Sequence, residues 1–193
     1  MPARRLTRRA ALALFAAPSA GGAAVAAEDP AGDPAWAALR QGGIALFRHA
    51  QAPGGGDPPG MRLGACETQR NLDETGRAQA RRIGAEFRRR GIAVGAVLTS
   101  AWCRAQETAE LAFPGAVRPE PAFDSFFGNR AAEPEHTAAA RRILLAWEGP
   151  GALLATTHQV NITALTGLFP ASGEAIVLQR QDGALAVVGR IRP

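Results

Sequence analysis

The stretch GIALFRHA, residues 43–50, predicts a buried strand that ends in two chemically active side chains. Five apolar residues, Gly43–Phe47, are followed at once by Arg48 and His49. A short, uninterrupted apolar run of this kind is typical of a strand in the core of a sheet. In open α/β sheets, ligands bind at the carboxyl ends of the strands. The stretch therefore predicts a ligand site around Arg48 and His49.

Two further apolar runs end in comparable residues. Val94–Thr99 is followed by a short loop and Arg104, and Gly151–Thr156 is followed by Thr157 and His158. Both runs are predicted to be core strands. We therefore expect three strand ends to bring two arginines and two histidines to one edge of a sheet.

Helical patterns separate these strands. Ala80, Ile83 and Phe87 recur with helical spacing, and Gly91 provides a stop. Alternating strands and helices predict a three-layer α/β sandwich with a mainly parallel sheet and helices on both faces. Gln181–Gly183 lies between two short apolar runs and predicts a hairpin that adds an antiparallel edge strand. The sequence leaves the strand order open.

The first 27 residues are predicted to be a signal peptide. Four arginines precede the short apolar run Ala10–Ala17, and Val25–Ala27 offers small residues for cleavage. The run is too short to span a bilayer, so no stable membrane insertion is expected after cleavage. Thr7–Leu12 resembles a twin-arginine export motif, with ordinary export as the alternative. The predicted division is a signal peptide (1–27), a linker with a short helix (28–42) and one domain (43–193), in a periplasmic or secreted protein.

The charge composition argues against a nucleic-acid partner. The 193 residues have a formal net charge of +5, and every basic residue is an arginine. Without the predicted signal peptide, 18 arginines face 17 acidic residues. A nucleic-acid footprint needs positive charge clustered on one face, which this pattern does not predict. In an oxidising compartment, Cys66 and Cys103 are compatible with a disulfide or with two buried thiols, and their spacing does not decide between them.

The residues at the strand ends indicate a phosphate site. A guanidinium group matches phosphate oxygens in charge and geometry. Arg48 and Arg104 would repel a metal cation, and no metal-ligand spacing is present, so neither a metal nor a cofactor is predicted. Cys66 and Cys103 are not followed by arginine six positions on, the arrangement expected of a thiolate phosphatase. A histidine is therefore the expected nucleophile.

These residues resemble the histidine phosphatase superfamily, also called the phosphoglycerate mutase-like fold. Arg48-His49-Ala50 is similar to its Arg-His-Gly signature, with alanine in place of glycine. The other matching positions lie in three later segments. The first contains Leu72, Gly76, Gln79 and Ala80, and the third is the late histidine of the family, His158. The second signature of the family lies between them and is matched by Ser100, Arg104, Ala105, Thr108 and Ala109. The resemblance extends from Gly43 to the C-terminus.

The resemblance implies a role for each residue at the strand ends. His49 would attack phosphorus and form a phosphohistidine that water hydrolyses. Arg48, Arg104 and His158 would hold the phosphate oxygens. Arg70 is either a further phosphate contact or a solvated loop residue. The expected substrate is a small phosphate ester.

The proton donor for the leaving group is less well defined by the sequence. One branch of the family places an aspartate directly after the late histidine, but this chain has Gln159 there. The other branch uses a glutamate after the second signature, where Asp124 is the best placed carboxylate and Glu133 and Glu135 are its rivals.

Two other functions remain open from the sequence. One is a phosphomutase of the same fold, and the other is a non-catalytic module that binds a phosphate ligand. His136 opens a predicted helix away from the strand ends and is expected at the surface. The sequence predicts neither the physiological substrate nor the oligomeric state.

Overall fold

The computed structural model describes Met1, residues 33–115 and residues 117–193. Those residues form five α-helices and six β-strands, joined by loops that contain short 3₁₀ turns. In chain order they are α1 Pro34–Arg40, β1 Ile44–Arg48, α2 Glu74–Arg89, β2 Val94–Thr99, α3 Cys103–Ala112, β3 Val117–Pro119, α4 Glu133–Leu145, β4 Ala152–Thr157, α5 Gln159–Thr166, β5 Ala175–Gln181 and β6 Ala184–Ile191. Residues 2–27 of the predicted signal peptide and residues 28–32 of the predicted linker lie outside the described residues.

The strands form one mixed sheet in the order β3-β2-β4-β1-β5-β6. The first four strands of that order are mutually parallel, and β5 and β6 complete the sheet as an antiparallel hairpin. Arg48 at the end of β1 pairs with Thr157, and Thr99 at the end of β2 pairs with Thr156. The three central parallel strands therefore end level with one another, which brings the residues that follow them together.

Helices cover both faces of the sheet, which confirms the predicted three-layer sandwich. Successive side chains of a strand point to opposite faces, and β1 is apolar on both. Ala45 and Phe47 pack into a core cluster with α1, α2 and α3, whereas Ile44 and Leu46 pack into a second cluster with α4 and α5. The central strands are therefore buried on both sides, as expected for a parallel sheet.

Phe87 is a central residue of the first core cluster. Its ring is 1% exposed and lies 5.2 Å from Trp36, 5.9 Å from Phe47 and 5.3 Å from Phe113, measured between ring centroids. Removing such a ring leaves a cavity, and a Phe→Ala change of this kind costs about 3–5 kcal/mol. The helical spacing that includes Phe87 therefore marks the face on which α2 is attached to the sheet.

Helix α2 positions the loop that follows β1. Its first turn is capped by the Asp73 carboxylate, which accepts a hydrogen bond of 2.7 Å from the Gly76 N–H. A Cβ atom at Gly76 would lie 2.0 Å from the Gln51 carbonyl oxygen. Only glycine permits this approach, so the helix holds the backbone just beyond Arg48 and His49 in place.

The edges of the sheet differ in how well the sequence predicts them. The hairpin turn is confirmed, since Asp182 and Gly183 both have positive φ, as a two-residue type I′ turn requires. At the opposite edge, Val117–Pro119 forms the strand β3, which the apolar pattern of the sequence does not indicate. Three residues ending in proline give too little alternation to predict a strand, and proline is tolerated at an edge. Among the described residues, no helix is long and apolar enough to cross a bilayer.

Candidate active site

The central strand ends bring His49 and His158 together at the carboxyl edge of the sheet. Their ring centroids lie 5.5 Å apart, and the residues are 3% and 4% exposed. His49 follows β1, and His158 lies between β4 and α5 as the N-cap residue of that helix, so the parallel pairing of these strands creates the contact. The two histidines expected from the sequence to share a site therefore do lie side by side.

The hydrogen bonds of His49 define which ring nitrogen carries the proton. Its Nδ1 lies 2.7 Å from the carbonyl oxygen of Ala50. A carbonyl oxygen only accepts hydrogen bonds, so Nδ1 donates, and in the neutral ring Nε2 keeps its lone pair. The Ala50 N–H donates in turn to Thr108 Oγ1 at 2.9 Å, which fixes the backbone that orients the ring.

Burial is the main reason that His49 is held in its neutral form. It lowers the pKa of His49 to about 3, with further lowering by the positive charges of Arg104, Arg70 and Arg48 against the opposing hydrogen bond to Ala50. At neutral pH the ring is therefore uncharged, and Nε2 is available as a nucleophile.

His158 is fixed from the other side by Ser100. Its Nε2 lies 2.8 Å from Ser100 Oγ, and the ring of Trp102 packs edge-on with centroids 5.4 Å apart. Burial lowers the pKa of His158 well below its ordinary value, and the positive charges nearby act in the same direction. The first residue of the second signature thus positions the late histidine.

Three arginines line the same cleft, and each leaves part of its guanidinium without a protein partner. Arg48 Nη1 donates to the Pro170 carbonyl at 3.1 Å, and Arg70 Nη1 donates to the Ala52 carbonyl. In the described structure, Nε of Arg48, Arg70 and Arg104 is buried without a hydrogen-bond acceptor. Arg70, which the sequence left as a phosphate contact or a solvated residue, lines the cleft with the other two.

The loop after β1 contributes a residue that the sequence analysis did not select. Asp57 forms a two-point ion pair with Arg104, with Oδ1 to Nη1 at 2.7 Å and Oδ2 to Nη2 at 3.1 Å. It also accepts hydrogen bonds of 3.1 Å from Trp102 Nε1 and from the Arg70 N–H. The available signal was that Asp57 is the one acidic residue of the glycine- and proline-rich segment 51–64.

The cleft has a charged base and a more apolar mouth. Its volume is about 850 Å³, and the base is formed by the two histidines and the three arginines. Pro58, Met61, Trp102, Phe127 and Val160 contribute the apolar lining. In the part of the chain that the structure describes, Asp57 is the only carboxylate that lines this cleft.

The three carboxylates considered as proton donors lie elsewhere. Asp124 Oδ1 accepts a hydrogen bond of 2.6 Å from the Ala101 N–H, and Asp124 is absent from the described cleft lining. Burial raises the pKa of Asp124. Glu133 pairs with Arg130 at 2.8 Å at the start of α4, next to the exposed Glu135. Asp124 is thus connected to the site through the Ala101 backbone and through the side chain of Ser100, which contacts His158.

His136, expected at the surface, is partly buried on α4. Its ring centroid lies 6.1 Å from that of Phe126, and it does not contribute to the described cleft lining. His136 is therefore a histidine that lies outside the cleft occupied by His49 and His158.

A disulfide joins Cys66 to Cys103. The sequence left this pairing open. Cys103 is the first residue of α3, directly before Arg104, and its N–H donates to Gln69 Oε1 at 3.0 Å. The bridge therefore ties the segment that carries Arg70 to the helix that carries Arg104.

No group of three or more His, Cys, Asp or Glu side chains suited to a metal ion is found among the described residues. The base of the cleft instead combines buried guanidinium groups with neutral imidazoles. Such a set of donors is suited to an anion with several oxygens.

The family comparison agrees with this geometry. Residues 44–124 match the family model of the histidine phosphatase superfamily, branch 1. The match begins with β1 and includes Arg48, His49 and Arg104, while His158 lies beyond it. No curated protein matches the chain in sequence.

Solved structures with the same fold are phosphatases or related proteins of low sequence identity. YhfR from Bacillus stearothermophilus is 15% identical with a TM-score of 0.58, covering 76% of this chain and 95% of that chain. A phosphoserine phosphatase variant from Entamoeba histolytica in complex with phosphoserine is 11% identical with a TM-score of 0.57, covering 77% and 95%. A mycobacterial glucosyl-3-phosphoglycerate phosphatase is 16% identical with a TM-score of 0.55, covering 76% and 97%.

The family-model match over residues 44–124 and the shared fold make this chain similar to the histidine phosphatase superfamily, in agreement with the resemblance in its sequence. The fold is the phosphoglycerate mutase-like α/β sandwich.

Proposed function

We propose that the protein is a phosphatase that hydrolyses a small phosphomonoester through a covalent phosphohistidine at His49. The observation that carries this proposal is the hydrogen bond from His49 Nδ1 to the Ala50 carbonyl, which leaves Nε2 as the free lone pair. A nucleophile must be unprotonated at the atom that attacks, and burial keeps this ring neutral at physiological pH.

The charges around His49 suit a phosphate dianion. Arg48, Arg70 and Arg104 contribute three positive charges, and Asp57 contributes one negative charge. Before substrate binds, the surplus of two positive charges matches in magnitude the two negative charges of a phosphomonoester dianion. Arginine groups that hold the non-bridging oxygens reduce the repulsion between the phosphate and an incoming electron pair.

The reaction follows two displacements at phosphorus. The Nε2 lone pair of His49 forms a bond to phosphorus while the bond to the ester oxygen breaks, and the alcohol leaves with a proton. Water then attacks the phosphohistidine, the N–P bond breaks, and its electron pair returns to Nε2. In this proposal His158, whose Nε2 lies 2.8 Å from Ser100 Oγ, contacts the phosphate in both steps.

The place of action proposed from the sequence is outside the cytoplasm. The Cys66–Cys103 disulfide supports this, because disulfides persist in oxidising compartments such as the periplasm. The predicted signal peptide would account for the export.

The experiment compares the wild type with His49→Ala on p-nitrophenyl phosphate. We expect His49→Ala to lose turnover by about 10⁴-fold or more, as expected for removal of a nucleophile. His136→Ala is the matched control, because it removes the third histidine outside the cleft, and it should keep near wild-type turnover. A base-stable, acid-labile phosphoprotein should be trapped by rapid quenching of the wild type and not of His49→Ala.

Two experimental results would contradict this proposal and support one of the two other functions that the sequence left open. Binding of inorganic phosphate without any turnover by the wild type would indicate a non-catalytic module. Transfer of the phosphoryl group to an alcohol in preference to water would indicate a mutase.

A further inference from the structure

The proposed reaction needs a proton for the leaving oxygen, and the cleft offers one carboxylate. Among the described residues, Asp57 is the only aspartate or glutamate in the cleft lining, whereas Asp124 is bonded to the Ala101 N–H outside it. A proton donor must come within hydrogen-bond reach of the ester oxygen. Its position in the cleft therefore favours Asp57 over Asp124 as the proton donor.

Asp57 binds the two terminal nitrogens of the Arg104 guanidinium group, which are the atoms that a phosphate would bind. Its two oxygens engage Nη1 and Nη2 of Arg104 at 2.7 and 3.1 Å. A phosphate binds an arginine in the same two-point manner. Substrate and Asp57 therefore compete for one guanidinium group.

The loop that carries Asp57 has little packing around its flanking residues, and hydrogen bonds to Arg104, Trp102 and the Arg70 N–H hold Asp57 itself. Pro53, the three glycines that follow and Pro58–Gly60 are all exposed, and Asp57 is the anchored residue between them. Cβ atoms built at Gly55 and Gly56 would meet nothing within 4 Å, so the backbone there is not held by packing. A phosphate that takes over Arg104 can thus displace Asp57 without disturbing the core.

Release changes the protonation preference of the carboxyl group. In the ion pair, burial raises the pKa of Asp57, but hydrogen bonds from Arg104 and from the Arg70 N–H outweigh it, so the pKa lies below its ordinary value. Once displaced, the group loses the Arg104 contact and lies beside a phosphate dianion. A neighbouring negative charge favours the neutral acid, so the displaced carboxylate takes up a proton from solvent.

We propose that Asp57 is the catalytic acid of this site, held on Arg104 until substrate phosphate displaces it and then protonating the departing alcohol. This assignment rests on the proposed function. When the P–O bond breaks, the ester oxygen takes the bonding pair and the Asp57 proton. The resulting carboxylate then accepts a proton from the water that attacks the phosphohistidine, and this restores the acid.

The test uses two esters that differ in their need for a proton. p-Nitrophenolate leaves readily without protonation, whereas the alkoxide of glycerol 2-phosphate does not. For Asp57→Asn we expect kcat/KM to fall about 10²–10⁴-fold with glycerol 2-phosphate and less than about tenfold with p-nitrophenyl phosphate. The basic limb of the kcat–pH profile with glycerol 2-phosphate should also disappear.

Asp124→Asn is the matched control, because it neutralises the other candidate carboxylate. It should lower kcat/KM for both esters by the same factor, since Asp124 contacts the Ala101 N–H and the Ser100 side chain and does not line the cleft. Equal losses on both esters in Asp57→Asn would overturn the proposal and leave Asp57 as a residue that only positions Arg104. A loss selective for glycerol 2-phosphate in Asp124→Asn would assign the acid to Asp124 instead.

Equilibrium binding of inorganic phosphate tests the displacement separately. Asp57→Asn should bind phosphate more tightly than the wild type because the competing carboxylate is gone, and weaker binding would contradict displacement. If the wild type hydrolysed neither ester, the proposed function would fail and this assignment with it. If the wild type hydrolysed both, only the role of Asp57 would be in question.

Discussion

The cleft and the cluster around Glu174 both combine arginines with a carboxylate, but they differ in where the surplus positive charge lies. Glu174 is 1% exposed, and its partners Arg190 and Arg192 have side chains that are 39% and 69% exposed. In the cleft, Asp57 pairs with an Arg104 side chain that is only 4% exposed.

Water can solvate the surplus charge at Glu174 but reaches the base of the cleft much less. The Glu174 carboxylate is also satisfied locally, since Oε2 accepts a hydrogen bond of 2.6 Å from the Ala171 N–H. In the cleft, three guanidinium groups keep a buried Nε without an acceptor among the described residues. A buried charge without a partner is costly, so this arrangement favours an anionic ligand. The solvation of the surplus positive charge therefore distinguishes the binding site in the cleft from the structural ion pairs of Glu174.

The largest effect expected from this difference is that of removing one arginine from each cluster. Arg104→Ala should lower kcat/KM by about 10²–10³-fold, because it removes a preorganised donor to the transition state. Arg192→Ala should leave kcat/KM within about twofold, as expected for an exposed ion pair. Steady-state kinetics with p-nitrophenyl phosphate measures both, with melting temperatures as the check on folding. Comparable losses in the two variants would remove the distinction between the clusters.

The disulfide supports the cleft and not the Glu174 cluster. Cys66 and Cys103 are 37 positions apart, and closing a loop of that length stabilises a protein by about 4 kcal/mol. The double variant Cys66→Ser/Cys103→Ser should therefore have a free energy of unfolding lower by about that amount. Its midpoint of urea denaturation should lie at a lower urea concentration. It should also bind inorganic phosphate more weakly, because Arg70 and Arg104 are no longer tied together. Unchanged phosphate binding would show that noncovalent contacts suffice to align them.

A pH titration of stability separates the two clusters by their ionisable groups. In the unfolded chain His49 and His158 have a pKa near 6.5. Burial lowers the pKa of both in the folded protein, to about 3 for His49. Below pH 6.5 the unfolded chain therefore binds more protons, and stability falls as the pH is lowered, by about 1.4 kcal/mol per unit for each histidine.

This loss should be visible in urea denaturation between pH 7 and pH 5, and His49→Asn should reduce its slope by about half. Glu174 behaves differently: burial raises its pKa, but the Ala171 N–H and the two arginines outweigh this and lower it. Its contribution to stability is lost only at pH values below about 4. A flat stability profile from pH 7 to pH 5 would contradict the neutral, buried state of the two histidines.

The sequence predicts which residues lie in the site better for residues that directly follow strands than for residues that reach the site on a long loop. His49, Arg104 and His158 could be placed because each lies just beyond an apolar run, and parallel pairing brings such ends together. The contact of Asp57 with Arg104 spans 47 positions and depends on the path of a loop. Glycine and proline indicate that a loop is present, but they do not predict its path.

The same reason explains the other limits of the sequence. The pairing of Cys66 with Cys103 depends on how the loop reaches the start of α3, which spacing does not reveal. Asp124 was selected by its position after the second signature. Its carboxylate, however, accepts from the Ala101 N–H, an orientation that no periodicity encodes.

The smallest effect expected from the comparison concerns an exposed phenylalanine beside each cluster. Phe127 lies at the mouth of the cleft and is 63% exposed, whereas Phe169, whose carbonyl accepts from Arg190, is 65% exposed. Phe127→Ala should raise KM for p-nitrophenyl phosphate about fivefold, equivalent to about 1 kcal/mol of lost apolar contact, with kcat unchanged.

Phe169→Ala is the control of equal exposure and should leave both kinetic constants unchanged. Glycerol 2-phosphate sharpens the test, since its small polar alcohol offers no ring to pack against Phe127. An increase in KM confined to the aryl ester would show that the mouth of the cleft selects for the leaving group. An equal increase with both esters would instead place Phe127 among the residues that position the phosphate, because the effect would then be independent of the alcohol.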